Sequence, residues 1–126
     1  MLDFDVAPFV TCIVGDDLDA CRMPVKGMLA LYIGGMGARG KNFYTDYAKL
    51  LGYEEAAVKI QDLYLDGKKA EALAAVPDEL ADSVSLTGTR ERIAERVQAW
   101  KDSPANTLLL GAQQPEAIQL LAELVL

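Results

Sequence analysis

The sequence predicts an α/β fold that is rich in helices and contains little sheet. Two short apolar runs, at residues 4–14 and 107–110, each stop at a glycine, as strands do when a sheet is covered on both faces. Apolar residues at helical spacing fill most of the chain between these runs and after them. The two confident strands cannot cover their own edges, so the sheet is expected to be part of a larger assembly.

The first predicted strand covers residues 4–14 and is rich in β-branched side chains. Asp16 or Asp17 is expected to cap the helix that follows, because acidic residues suit the positive end of a helix dipole. Pro24 lies inside the helical pattern and indicates either a bend or the true start of the helix. One face of this helix carries six residues: Leu18, Cys21, Val25, Met28, Leu29 and Tyr32.

Two short amphipathic helices are predicted after a glycine-rich stretch, one ending at Gly52 and the other at Gly67. A third short helix is predicted over 68–75, and a helical turn over 79–84 leads into a candidate strand at 84–86. The apolar faces of the first two helices carry Phe43, Tyr44, Tyr47, Leu50 and Leu51, and then Ala57, Ile60, Leu63 and Tyr64.

The last part of the chain predicts a helix, a strand and a final helix. Thr89 has the character of an N-cap, and Ser103-Pro104 ends the helix that it starts. A buried strand is predicted over 107–110, and the final helix begins near Pro115. The apolar stripe of the first helix consists of Ile93, Val97 and Trp100, and the final helix is expected to bury Ile118, Leu121, Leu124 and Val125.

Composition predicts one globular domain over residues 1–126 that acts on small molecules or proteins. The apolar fraction is 52%, which is ample for a core. The net charge is −7 and the basic residues are scattered, which argues against a nucleic-acid or anionic membrane surface. The sequence has no uninterrupted apolar run of membrane-spanning length and no signal peptide pattern, so we expect a cytoplasmic protein.

Histidine is absent from the sequence. Its absence excludes nucleophilic sites that depend on a histidine base, and it removes the commonest zinc ligand, so no metal site is predicted. Cys12 and Cys21 both lie in apolar patterns and are expected to be buried free thiols in a reducing compartment.

The most informative stretch is YIGGMGARGKNFY at residues 32–44, which combines four glycines with two cations. Gly35, Gly37 and Gly40 match G-x-G-x-x-G, and Gly35, Gly40 and Lys41 match a P-loop in which Asn42 replaces Ser or Thr. Both motifs require a preceding strand, whereas the preceding residues predict a helix. A glycine-rich bend that joins two helices is the structural alternative.

Several segments together resemble the luciferase-like flavin and deazaflavin oxidoreductases. They are FDVAP at 4–8, GDD at 15–17, YIGGMGARGKNFY at 32–44, IQDLYLDG at 60–67, VPDEL at 76–80 and GTRERIAER at 88–96. The glycine stretch is specific to the deazaflavin-dependent branch. The resemblance implies the C-terminal portion of a (β/α)8 barrel, from about strand 7 to helix 8, with a helical insertion. Residues 103–106 depart from the family pattern before strand 8.

The resemblance also implies a function. The family transfers a hydride between a small organic substrate and coenzyme F420, or FMN as the alternative. Its phosphate sites use loops after strands 7 and 8, which implies a ligand near residues 15–16 and 111–113. Cofactor contacts are expected from Gly34, Gly35, Gly37, Arg39, Lys41 and Asn42: the glycines permit close backbone approach, the cations hold an anion, and Asn42 adds an amide hydrogen bond. Catalytic residues are expected on earlier strands, so none is assigned.

A piece of a barrel is expected to be inactive alone, because one wall of a cleft cannot bury a ligand. Its exposed strand edges are expected to form a homo-oligomer. Two other functions stay open: a non-catalytic module that self-associates, and a phosphate- or nucleotide-binding domain that uses Lys41.

Overall fold

A computed structural model describes residues 4–126. Those residues form three β-strands, seven α-helices and one π-helical turn. In chain order they are β1 (Phe9–Val14), α1 (Leu18–Ala30), the π-helical turn (Leu31–Gly35), α2 (Phe43–Leu50), α3 (Glu54–Leu65), α4 (Lys69–Ala74), α5 (Asp78–Ser83), β2 (Ser85–Gly88), α6 (Arg90–Lys101), β3 (Leu109–Gly111) and α7 (Pro115–Val125).

The three strands form one parallel sheet in the order β2-β1-β3. The segment from Thr11 to Val14 pairs with β2, and the segment from Phe9 to Thr11 pairs with β3. Parallel neighbours require crossover connections, which the helices between the strands provide. The predicted α/β class is therefore confirmed, and the candidate strand at 84–86 is a full member of the sheet.

Contacts within the chain divide it into two compact units, each with its own core. The sheet unit comprises the chain up to Cys21 together with Val84–Leu126, and the helical unit comprises Arg22–Ser83. The boundary falls inside the first turns of α1. The helical unit is an excursion of the chain between β1 and β2.

The core of the sheet unit lies between one face of the sheet and the helices α6 and α7. Alternate residues of β1, Val10 and Cys12, point into it, as the period of a strand requires. The buried members are Val10, Cys12, Leu86, Ile93, Val97, Ala117, Leu120 and Leu121.

The predicted strands are correct in place but wrong in extent and in burial. β1 begins at Phe9 rather than at residue 4, and the Phe9 side chain is 63% exposed, so only one face of the sheet is covered at this end. β3 begins at Leu109 rather than at 107; before it, the Thr107 hydroxyl donates to the Asp5 carboxylate and the Thr107 N–H donates to the Val6 carbonyl.

The predicted buried face of α7 is also partly wrong. The helix buries Ala117, Leu120 and Leu121, whereas Ile118 is 52% exposed and Val125 is 42% exposed. The helix carries apolar residues along two adjacent faces. The face that packs into the core is the one that includes the small Ala117. Spacing alone cannot distinguish two adjacent apolar stripes.

The helical unit has a separate core in which alanine is frequent. Small residues let helices approach closely, and longer residues fill the remaining space. Its buried members are Ala30, Ile33, Ala48, Ala57, Ile60, Ala72, Val76 and Leu80. Pro24 lies within α1, which begins at Leu18, so the interpretation of Pro24 as the start of the helix is wrong.

Two local predictions are confirmed. The Thr89 side chain caps α6 by accepting a hydrogen bond from the Arg92 N–H at 3.2 Å. Cys12 and Cys21 are both buried free thiols.

Candidate functional site

The glycine-rich stretch of the sequence begins with a π-helical turn, which replaces the loop that the sequence predicts at Gly34 and Gly35. A Cβ atom on Gly34 would lie 2.4 Å from the Tyr64 Cβ atom, and one on Gly35 would lie 2.5 Å from the Tyr64 Cε1 atom. Both glycines are therefore required by the close packing of Tyr64 from α3. Isolated π-helical turns occur frequently at functional sites.

The loop that follows, residues 36–41, is a tight turn. The Lys41 N–H donates to the Ala38 carbonyl at 2.9 Å, and Gly40 has a φ of +75°, which favours glycine. A Cβ atom on Gly37 would lie 2.4 Å from the Lys41 carbonyl oxygen, so the two ends of the turn touch. The N–H groups of Arg39 and Gly40 form no backbone hydrogen bond within residues 4–126.

Asn42 connects this turn to α2. Its side-chain oxygen accepts from the Tyr44 N–H at 2.8 Å and from the Thr45 N–H at 3.2 Å, which makes it the N-cap of α2. Its side-chain nitrogen donates to the carbonyls of Tyr32 and Ile33, both at 3.0 Å. The side chain is 2% exposed, and all of its hydrogen-bonding capacity serves the fold.

Two further buried polar residues belong to the same network and were not predicted. The Thr45 hydroxyl donates to the Ile33 carbonyl at 2.6 Å, and the Gln61 side-chain nitrogen donates to that hydroxyl at 3.2 Å. Thr45 and Gln61 lie 16 positions apart on different helices, and no local sequence pattern identifies such a pair.

The two cations of the turn have different surroundings. Arg39 forms ion pairs with Asp62 and, at 3.6 Å, with Asp66, both at the end of α3. Lys41 is exposed and forms no ion pair with any residue from 4 to 126. Lys41 is therefore the cation that is free to meet an anionic ligand, whereas Arg39 would first have to leave its carboxylates.

The loops that follow β1 and β3 are the second place where the sequence implies a ligand. The Gly15 N–H donates to the Gly88 carbonyl at 2.8 Å, which extends the pairing of β1 with β2. On the other side of β1, the Gln114 side chain accepts from the Val14 N–H at 2.8 Å and donates to the Val14 carbonyl at 2.9 Å. The loops that begin at Gly15 and Gly111 are thereby held beside each other.

Other chemistry is limited in the described part of the chain. Burial raises the pKa of the Cys12 thiol to about 11, so this thiol is protonated and unreactive at neutral pH. No group of three or more Cys, Asp or Glu side chains suited to a metal ion occurs between residues 4 and 126. None of the helices in the same range is long and apolar enough to cross a membrane.

Comparison with known proteins identifies the family. A family model described as "Luciferase-like monooxygenase" matches residues 1–107. The chain belongs to this luciferase-like family. The match includes the sheet residues of β1 and β2 and the whole glycine-rich stretch, so it confirms the family that these segments indicate.

A relative of the luciferase-like chain occurs in Mycobacterium tuberculosis, where it is provisionally named a coenzyme F420-dependent oxidoreductase. The two sequences are 31% identical over 123 residues, which cover 98% of this chain. The chain spans only 35% of the length of that relative. No solved structure gave a significant match.

Proposed function

We propose that this luciferase-like chain is the C-terminal portion of an oxidoreductase barrel and that it contributes part of the wall of a deazaflavin site. In this proposal β1 and β3 are the seventh and eighth strands of a (β/α)8 barrel, and the segment between them, which contains the helical unit, β2 and α6, is the insertion. β2 pairs with the edge of β1 on which the sixth strand of a regular barrel would lie, so β2 departs from the regular strand order. The relative that carries the F420 name supports the coenzyme, and FMN is the alternative. The coenzyme would supply hydride transfer to or from a small organic substrate.

The observation that carries the proposal is the combination of a sterically fixed glycine turn with one unpaired cation. Lys41 has no carboxylate partner within the described residues, and the N–H groups of Arg39 and Gly40 form no backbone hydrogen bond there. An ammonium group and free backbone N–H groups are the donors that phosphate and carboxylate oxygens require. The turn therefore fits the anionic tail of a coenzyme or an acidic substrate.

The six predicted cofactor residues have distinct roles in this proposal. Lys41 contacts the anion directly, and Arg39 joins it after exchanging its pair with Asp62. Gly34, Gly35 and Gly37 set the backbone path through close contacts with Tyr64 and Lys41, and Asn42 positions the turn through its four hydrogen bonds. No residue of the chain is assigned as catalytic acid or base.

Sheet coverage supports the expectation that the chain is inactive alone. Phe9 is 63% exposed and Leu109 is 50% exposed, on neighbouring paired strands. In a complete barrel these side chains would be covered by the packed interior or by the surrounding helices. The outer edges of β2 and β3 are unpaired within residues 4–126, which supports self-association through strand edges as the second candidate function.

A fluorescence titration of the chain with coenzyme F420 tests the proposed anion contact. We expect weak binding without turnover, and a dissociation constant about tenfold larger for Lys41→Ala, because a charge-assisted hydrogen bond is lost. Lys59→Ala is the matched control, since Lys59 is an exposed lysine on α3 of the same unit. Equal affinities for the chain and Lys41→Ala would show that the turn does not hold the coenzyme.

ATP and inorganic pyrophosphate, added as competitors of coenzyme F420, separate the remaining functions in the same titration. If ATP or pyrophosphate competed as well as the coenzyme did, the phosphate-binding alternative would be favoured. If binding were absent and light scattering showed a defined oligomer, the self-associating module would be favoured.

A further inference from the structure

α2 carries an apolar stripe that has no partner in the described part of the chain. Phe43, Tyr47 and Leu50 are spaced by four and three residues and therefore share one face of the helix. Their side chains are 71%, 51% and 85% exposed. The opposite face buries Thr45 and Ala48 in the helical unit, so the stripe points away from that core.

The aromatic rings of the stripe contact one another. The Phe43 and Tyr47 rings stack with centroids 5.9 Å apart and an interplanar angle of 12°. The Tyr44 ring meets the Phe43 ring edge-on at 5.4 Å, and Leu51 continues the apolar surface with 48% exposure. Contiguous exposed apolar groups of this kind mark interaction surfaces rather than ordinary surface positions.

The charges beside the stripe indicate which partner it fits. Asp46 and Lys49 lie on the same flank of α2, because 100° steps place both to one side of Phe43, Tyr47 and Leu50. Neither residue forms an ion pair with residues 4–126. When a second, identical helix packs antiparallel, the acidic residue of each helix lies beside the basic residue of the other. The flank is therefore complementary to itself.

We propose that the stripe is the contact surface for a second copy of this chain, with the two α2 helices packed antiparallel about a twofold axis. In this arrangement Tyr47 lies opposite Tyr47 of the second copy, and Phe43 lies opposite Leu50 of the second copy. Asp46 lies beside Lys49 of the second copy, and every contact occurs twice. The surface is separate from the strand edges considered above and does not depend on coenzyme binding.

Leu50→Lys tests the apolar contact. A lysine near the end of α2 suits the helix dipole and can pair with Asp46 one turn earlier, so the variant is expected to fold. We expect the dimer dissociation constant, measured by sedimentation equilibrium, to rise at least about tenfold, because the most exposed residue of the stripe becomes charged. Val58→Lys, at an exposed apolar position of α3, is the control and should leave the constant unchanged.

A charge exchange tests the antiparallel register. Asp46→Lys places two positive charges opposite each other at both ends of the contact and should weaken the dimer. Adding Lys49→Asp restores opposite charges across the axis and should recover most of the affinity. Circular dichroism of both variants checks that α2 is still formed, since the exchange also acts against the helix dipole.

Disulfide trapping tests the twofold axis itself. Tyr47→Cys places a thiol opposite its own copy, and Cys12 and Cys21 are buried and do not compete. We expect rapid oxidation to a covalent dimer for Tyr47→Cys and none for Val58→Cys. A chain that stays monomeric at all concentrations, or a dimer that Leu50→Lys leaves intact and Tyr47→Cys does not trap, overturns the proposal.

Discussion

Asn42 joins two elements with one side chain, since its oxygen caps α2 while its nitrogen donates to two carbonyls of the π-helical turn. Truncation of such a residue removes two kinds of interaction at once. The cap and the carbonyl contacts can be separated, because serine keeps the first and loses the second.

We expect Asn42→Ala to lower the free energy of unfolding by about 3 kcal/mol, because the cap is lost and the partly buried Tyr32 carbonyl has no donor. Asn42→Ser should lose about 1 kcal/mol less, since its hydroxyl still accepts from α2. Urea unfolding followed by circular dichroism measures both. Equal losses for the two variants would mean that the cap contributes nothing measurable.

Cys12 makes stability depend on pH in the alkaline range. Burial raises the pKa of its thiol from 9.0 to about 11. The stabilisation is fully present below pH 9, and it is lost as pH rises from 9 to about 11, because only the unfolded chain releases the proton in that window.

We expect the Cys12 contribution to the free energy of unfolding to be about 2–3 kcal/mol, because one pKa unit corresponds to about 1.4 kcal/mol. Cys12→Val removes it and keeps an apolar residue that suits a strand. Between pH 9 and 11 the free energy of unfolding should therefore decrease less in Cys12→Val than in the original chain. The difference between the two decreases should be about 2–3 kcal/mol. Parallel pH profiles for the two proteins would refute the assignment.

At the scale of elements, the three-residue strand β3 is lengthened by side chains. Asn106 accepts from the Val6 N–H at 2.9 Å before β3, and Gln114 forms two hydrogen bonds with Val14 after it. These side-chain amides take the place of backbone hydrogen-bond partners. Hydrogen bonding along the edge of β1 that faces β3 therefore continues beyond the three paired residues.

Gln114→Met keeps the shape of the side chain and removes both of its hydrogen bonds. We expect about 2 kcal/mol of destabilisation and faster hydrogen exchange of the Val14 amide, because two bonds at the end of the sheet are lost. Gln113→Met, at an exposed neighbouring position, is the control. If Val14 exchanged at the same rate in both variants, the proposed extension of the sheet would be wrong.

The elements themselves follow from local signals, whereas their contacts do not. Glycines at 52 and 67 end α2 and α3 where the sequence predicts, and Gly52 and Gly67 have φ values of +96° and +82°. The π-helical turn is not predictable in this way. It depends on Tyr64, which packs on Gly34 from a position 30 residues later, and a side-chain period carries no information about such a distant partner.

The same limit applies to the candidate site. Arg39 and Lys41 lie in the same turn, as their nearness in the sequence predicts. Only the structure distinguishes them, because Asp62 and Asp66 approach Arg39 from α3. The roles of all six residues toward a cofactor stay predictions that the Lys41 titration addresses.

At the scale of the whole molecule, the family is established and the activity is proposed. The family model matches residues 1–107, and the named relative is matched over only 35% of its length. The proposed (β/α)8 barrel would have eight strands, whereas residues 4–126 supply three. The choice of coenzyme, the substrate, the oligomeric state and the cytoplasmic location therefore stay predictions.

Ion pairs between side chains join the two ends of the helical unit. Arg22 donates two hydrogen bonds to Asp82, at 3.0 and 2.7 Å, although 60 residues separate them in sequence. Lys26 also pairs with Asp78, and its hydrogen bond lowers the pKa of that carboxyl. Because these ion pairs hold the beginning and the end of the helical unit together, the unit is compact in itself. A change in the length of the intervening helices would therefore leave the pairing of β1 with β2 intact.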